Sequence, residues 1–216
     1  MTNAYTEIAF TPAVKHAQEV MGTRASNARL EASETERGRL GPNEAGFLAE
    51  RDGFFLSSVS ETGWPYVQFR GGPAGFLRVL DDRTVAWADF RGNRQYISVG
   101  NMTAEADPDP GKVALIVMDW ANRRRIKLFG HARIVQRDAD PELFAKLDVG
   151  DYRAFVERAV VVTVEGFDWN CPQHITPRFT EAEIAAALAP MQDRLAALET
   201  ENARLRGQVT EVAAPV

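Results

Sequence analysis

From Gly53 to Glu165 the chain alternates short runs of β-branched and aromatic residues with turn signals, and this pattern restricts the fold more than any other feature. Gly53–Ser60 (GFFLSSVS) reads as a strand, Glu61-Thr62-Gly63 as a tight turn, and Trp64–Arg70 as the returning strand. Phe76–Leu80 and Thr84–Asp89 form a second hairpin around Asp81-Asp82-Arg83. Lys112–Asp119 and Arg125–Gln136 form a third, joined by Trp120–Arg124. Ala159–Glu165 (AVVVTVE) reads as a last, fully buried strand. Strands in hairpin order predict an antiparallel barrel, because closure removes the edges that an open sheet must protect. The expected fold class is therefore mainly β, with helices outside the barrel.

Three regions follow along the chain. Residues 1–41 are polar and rich in Ala, Arg and Glu, with no clean apolar stripe, and predict a loosely packed helical arm. Residues 42–179 hold the barrel. They open with a short helix that has Pro42 in its first turn, turns Phe47 and Leu48 inward, and ends near Asp52-Gly53. Residues 180–216 change period: Ile184, Leu188, Met191, Leu195, Leu198, Asn202, Leu205 and Val209 recur at alternating spacings of four and three, a heptad seam. Pro190 predicts a break, with a short helix over Glu181–Ala189 and a short coiled coil after it, which either reinforces a dimer made elsewhere or folds back on its own domain. Asn202 on the seam favours a paired, parallel register.

The 216 residues suit one domain with an appendage. A net charge of −5 argues against a nucleic-acid partner, so an anionic ligand must be met by local arginines. The single cysteine, Cys171, forbids an internal disulfide and fits a reducing compartment. No run approaches the roughly 18 apolar residues of a membrane span. A soluble, cytoplasmic protein with no membrane partner is expected.

Two strand ends carry the chemistry. Arg70 closes Tyr66–Arg70 and is followed by Gly71-Gly72-Pro73-Ala74-Gly75, where glycines permit positive φ and close approach of backbone amides to a ligand. Arg91, Asn93, Arg94 and Gln95 lie between a strand and an expected helix that runs to Asn101. Guanidinium groups there suit a phosphate or a planar carbonyl edge. A Gly-rich hairpin and an Asn-capped helix also form without any ligand, and neither stretch is a P-loop or a dinucleotide fingerprint. Cys171, His174 and His131 supply no fourth ligand at zinc spacing, so no metal is expected.

Taken together, YVQFRGGPAGFL, ADFRGNRQYISVGN, RRRIKLFGHARI and FDWNCPQHITPRF resemble the pyridoxamine 5′-phosphate oxidase-like family of FMN-binding split β-barrels over about Pro42–Phe179. The resemblance implies a homodimer with FMN at the subunit interface. It places the flavin-contacting strand on Val67, Gln68 and Arg70, and the phosphate clamp on Asn93, Arg94 and Gln95. The clamp's lysine is a glutamine here, with Arg91 as a replacement charge. By the same resemblance Arg125 and Trp169 touch the ring, and His174 is the candidate proton donor. The Arg-Leu plus Trp pattern that binds substrate phosphate in the oxidase proper is missing, which argues against pyridoxamine phosphate as substrate. The implied activity is an FMN-dependent oxidoreductase acting on a small molecule or a reduced nicotinamide. The alternative is a non-catalytic flavin-binding or sensing module that signals through the C-terminal coil.

Overall fold

The computed structural model describes residues 3–33, 38–104, 111–169 and 171–212. All seven expected strands form: β1 (Gly53–Val59), β2 (Pro65–Gly71), β3 (Arg78–Asp81), β4 (Thr84–Phe90), β5 (Lys112–Asp119), β6 (Arg124–Val135) and β7 (Val156–Trp169). They make one sheet in the order β2-β1-β5-β6-β7-β4-β3, antiparallel at every pairing. β7 is twice the expected length because it bridges two neighbours, pairing with β4 from Val156 to Thr163 and with β6 from Ala159 to Trp169. Its charged ends, Glu157-Arg158 and Asp168, hid that extent from hydropathy.

The sheet rolls on itself. Phe54 of β1 meets Trp87 of β4 edge-on, with ring centroids 4.9 Å apart. Arg70 of β2 reaches Asp89 of β4, yet β2 and β4 share no ladder among the described residues. Closure along this seam is made by side chains rather than backbone, which is what splits the barrel. Inside it, alternate residues such as Leu56, Leu115, Val117, Ile126, Leu128 and Val162 form the core. β7 carries a bulge at Glu165, opposite Phe129/Gly130 of β6. A Cβ on Gly130 would lie 2.4 Å from the Thr163 carbonyl oxygen, so only glycine fits where the bulge presses β6 onto β7.

The outer side of β2, β1, β5 and β6 is unusually apolar. Register places Phe69, Phe55, Ile116 and Lys127 in one row across the strands and Val67, Ser57, Ala114 and Phe129 in the next. Val67 and Phe69 are 60% and 58% exposed.

The N-terminal arm departs from expectation. It folds as α1 (Ala4–Ala9), α2 (Pro12–Val20) and α3 (Arg24–Glu31), and α1 is docked rather than loose, with Ala4, Tyr5 and Thr6 buried. Tyr5 stacks on Phe129 at 5.3 Å and its hydroxyl accepts from Lys127 Nζ. Gly166 lets α1 cross β7, since a Cβ there would meet Tyr5 backbone at 2.9 Å. One aromatic residue anchors this helix, and a single anchor makes no apolar stripe. α2 and α3 have no buried residue.

α4 (Pro42–Ala49) starts at Pro42 and buries Phe47 and Leu48 as expected. α5 (Ile97–Met102) follows β4, and α6 (Pro141–Lys146) follows β6. By contacts the chain divides into two units, Met1–Asp119 with Arg123–Ile175, and Trp120–Asn122 with Thr176–Val216. In the second unit Arg178 stacks over Trp120 at 4.7 Å. There α7 runs from Glu181 to Val212 without a break, and Pro190 lies inside it. The expected interruption is absent. Proline removes one hydrogen bond, to the Ala186 carbonyl, and on an exposed helix water can satisfy that oxygen. No helix among the described residues is long and apolar enough to cross a membrane.

Candidate functional site at the split

The open seam of the barrel forms a cleft between β2 and the loop from Phe90 to Tyr96. Gln68 and Arg70 line it from β2, and Asn93, Arg94 and Gln95 line it from the loop. The two expected segments therefore share one site. Alternation along β2 explains the selection: Gln68 and Arg70 face the seam, and Val67 faces the outer sheet surface.

The loop is held in an unusual backbone. Arg94 and Tyr96 adopt left-handed φ values of 62° and 55°, which cost a non-glycine residue roughly 1–2 kcal/mol each. Asn93 Oδ1 accepts from the Gln95 amide at 3.1 Å and closes the turn. Ser98 Oγ donates to Gln68 Oε1 at 3.1 Å, and Asn101 Nδ2 donates to Ser58 Oγ at 3.0 Å, pinning α5 to β2 and β1.

Charge is arranged as a chain. Arg70 Nη1 lies 2.8 Å from Asp89 Oδ1, and Arg158 Nη1 lies 3.0 Å from Asp89 Oδ2. The second arm of Arg158 reaches Glu157 at 2.9 Å, and Glu157 also takes Arg91 Nε at 3.0 Å and the Tyr96 hydroxyl at 3.1 Å. Asp89 is only 3% exposed. Burial pushes the Glu157 carboxyl up, but the hydrogen bonds from Arg91 and Tyr96 and the charges of Arg158 and Arg91 hold it below the usual carboxylate range. Arg94 is held above its ordinary value by its hydrogen bond with Tyr96 and by the Tyr96 and Glu157 charges.

Asp89, Tyr96, Glu157 and Arg158 were not among the expected site residues. Asp89 and Arg158 meet because β4 and β7 pair them directly, and β7 was expected to begin only after them. A run of charge just before AVVVTVE was the available signal.

Other expected features are placed elsewhere. The amides of Gly72 and Gly75 donate to the carbonyls of Asp52 and Arg51 at 2.9 Å each, so the glycine turn fastens β2 to the end of α4 rather than offering donors to a ligand. Arg91 borders the adjoining part of the cleft, with Phe76, Trp87, Tyr152 and Phe155, and stacks on Phe155 at 4.0 Å. Arg125 lies on β6, opposite Met118, outside the cleft lining. Trp169 is packed: its indole donates to Glu44 at 2.8 Å, meets Phe47 edge-on at 4.8 Å and carries Arg124 at 4.7 Å. His174 is exposed, has a left-handed φ of 61° and does not line the cleft. Asn170 of the WNCPQH segment lies outside the described residues. Among those described, no cluster of His, Cys, Asp and Glu could hold a metal.

The cleft suits an anion that also accepts hydrogen bonds. Arg70, Arg94 and Arg158 outnumber Asp89 and Glu157, leaving a positive surplus. Arg70 Nε and Trp87 Nε1 are buried, lack a partner among the described residues and border the same cleft. Buried donors without acceptors cost about 1–3 kcal/mol each, and a ligand carbonyl or phosphate oxygen would relieve them. A flavin mononucleotide fits these donors, at reduced strength because Asp89 and Glu157 already engage three of the guanidiniums.

A profile of the family described as pyridoxamine 5′-phosphate oxidase matches residues 40–165. No curated protein matches the chain. Solved structures similar to it include Group A Streptococcus HupZ, at 18% identity and a TM-score of 0.46 over 65% of this chain and 100% of that one. An FMN-binding protein from Syntrophomonas wolfei subsp. wolfei is 16% identical, with a TM-score of 0.43 over 58% of this chain and 81% of its own. A structure named F420 reductase is 20% identical, with a TM-score of 0.41 over 59% and 98% respectively.

Proposed function

The chain belongs to the pyridoxamine 5′-phosphate oxidase family, and from that premise we propose that it is an FMN-dependent oxidoreductase, working as a homodimer on a small molecule or a reduced nicotinamide. The observation that carries this reading is the cleft at the split, where a cationic surplus converges with the buried Nε of Arg70, which has no partner among the described residues. Bound FMN supplies the chemistry, a ring that takes up a hydride or electrons. Arg94, with the Asn93 and Gln95 side-chain amides, holds the phosphate. Arg70 and Gln68 face the flavin's polar edge, where the Arg70 charge stabilises negative charge that develops on reduction. Phe76, Trp87 and Phe155 give the adjoining space an apolar wall for the flat face of the ring.

The apolar outer face of β2, β1 and β5 supports the homodimer, since Val67, Phe69, Phe55 and Ile116 form a contiguous surface on adjacent strands. That placement gives Val67 a role at the subunit contact rather than in the cleft. Pyridoxamine phosphate is not the proposed substrate.

The non-catalytic flavin module is favoured by one observation: both acids of the cleft, Asp89 and Glu157, are tied into ion pairs, which leaves them poor proton carriers. Two measurements decide. Purified protein, or protein incubated with FMN, should show bound flavin absorption, and a colourless protein that takes up no FMN would sink the cofactor assignment. Anaerobic NADH or NADPH should then bleach the bound flavin; retention of flavin without bleaching by either donor points to the module.

A further inference from the structure

We propose that α7 pairs with the α7 of a second copy of this chain as a parallel, in-register, two-stranded coiled coil. The helix is unbroken for 32 residues, about 48 Å at 1.5 Å per residue, rather than the short segment that Pro190 implied. Along it Ile184, Leu188, Met191, Leu195, Leu198 and Leu205 are all between 42% and 68% exposed. Large apolar side chains in one continuous row along a solvated helix are the signature of an uncovered seam. In heptad terms Leu188, Leu195 and Asn202 occupy a, and Ile184, Met191, Leu198 and Leu205 occupy d. Pro190 then falls on c, on the solvent side, where its missing hydrogen bond does not disturb the seam. Val209 lies beyond the side chains that the structure describes.

Charge identifies the occupant as a second copy. Arg194 and Glu201 occupy g, and Glu199 and Arg206 occupy e. In a parallel in-register pair, g of one helix meets e of the next heptad on the other. Arg194 of one copy then opposes Glu199 of the other, and Glu201 opposes Arg206, so every charged flank is matched. An antiparallel pair also finds opposite charges, Arg194 with Glu201 and Glu199 with Arg206, but it sets Asn202 against Leu198 and buries the amide without a partner. The parallel pair sets Asn202 against its own equivalent, where the two amides can bond to each other. The buried amide therefore chooses the orientation. None of this depends on a flavin.

The test uses full-length Arg194→Glu and Glu199→Arg variants, both changes lying on exposed flanks where the fold is not at risk. Each variant alone places like charges across the seam and should dissociate about tenfold more readily than wild type by analytical ultracentrifugation. Mixed, they should form heterodimers well above the statistical share in native mass spectrometry, because in the parallel pair both contacts are restored at once. An antiparallel pair restores neither, so statistical mixing overturns the proposed orientation. Independently, Asn202→Cys in a Cys171→Ser background should cross-link to itself under mild oxidation. Failure to cross-link, together with statistical mixing, overturns the pairing whatever else covers the helix. FMN absorption is the separate readout for the cleft, so the two proposals can fail independently.

Discussion

At the scale of single residues, Asp89 decides how the split behaves. It is the buried carboxylate that holds Arg70 and Arg158 together across the seam, and it also competes with any anion for those guanidiniums. Its two roles oppose each other. Asp89→Asn should lower stability by about 3 kcal/mol, since removing one partner of a buried pair strands the other charges. The same change should strengthen FMN binding. Urea unfolding and a flavin titration on one preparation check both, and weaker binding in a folded variant would show that Asp89 helps the ligand. Arg94→Ala should weaken FMN binding about tenfold or more, as loss of a charge-assisted bond does, and by more than Arg91→Ala, because Arg91 is already engaged with Glu157. Equal losses would move the phosphate away from Arg94. Glu44 supplies a pH signature. Burial raises its carboxyl, but the Trp169 indole, the Asn43 amide and the backbone amides of Glu44 and Gly41 lower it further, so its folded value lies below the ordinary one. The stability it contributes is complete above the unfolded value of about 4.3, and is lost as pH falls through the folded value. The stability gap between wild type and Glu44→Gln should therefore shrink on acidification through that window. A gap that stays constant with pH would mean that Glu44 acts through shape rather than charge.

At the scale of elements, β6 and β7 organise the barrel, and their contact is set by a bulge rather than by hydropathy. Gly130→Ala places a methyl group against the Thr163 carbonyl, so β7 or β6 must shift. The expected cost is about 1–3 kcal/mol, read as a lower urea midpoint. A neutral result would mean that the bulge is plastic. The arm shows the converse economy: α1 is held by Tyr5, the Lys127 bond and the close approach over Gly166. The strands were legible because hairpins announce themselves locally, as in the Lys112–Asp119 strand and the Glu61-Thr62-Gly63 turn. α1 was not, because its packing depends on a partner far along the chain. The continuity of α7 through Pro190 was also illegible, since proline's cost is fixed locally but whether a helix tolerates it depends on what surrounds the opened turn.

At the scale of the whole molecule, the outer sheet face and the cleft lie on opposite sides of β2, so the proposed assembly and the proposed ligand binding would be linked through one strand. Phe69→Glu should raise the dimer dissociation constant at least tenfold by analytical ultracentrifugation while leaving the barrel folded. Loss of FMN affinity in the same variant would show that the second subunit completes the site. Unchanged self-association would remove this face as the subunit contact. The seven strands and their three hairpins were determined by the sequence alone, because period and turn chemistry are properties of neighbours along the chain. Only the tertiary structure decided the order of the strands in the sheet, that Asp89 joins Arg70 to Arg158 across the seam, that the glycine amides are spent on Asp52 and Arg51, and that Trp169 is packed against Glu44 and Phe47. Each of those facts is a pairing between residues distant in sequence, and such pairings exist only once the sheet has rolled and its register is fixed.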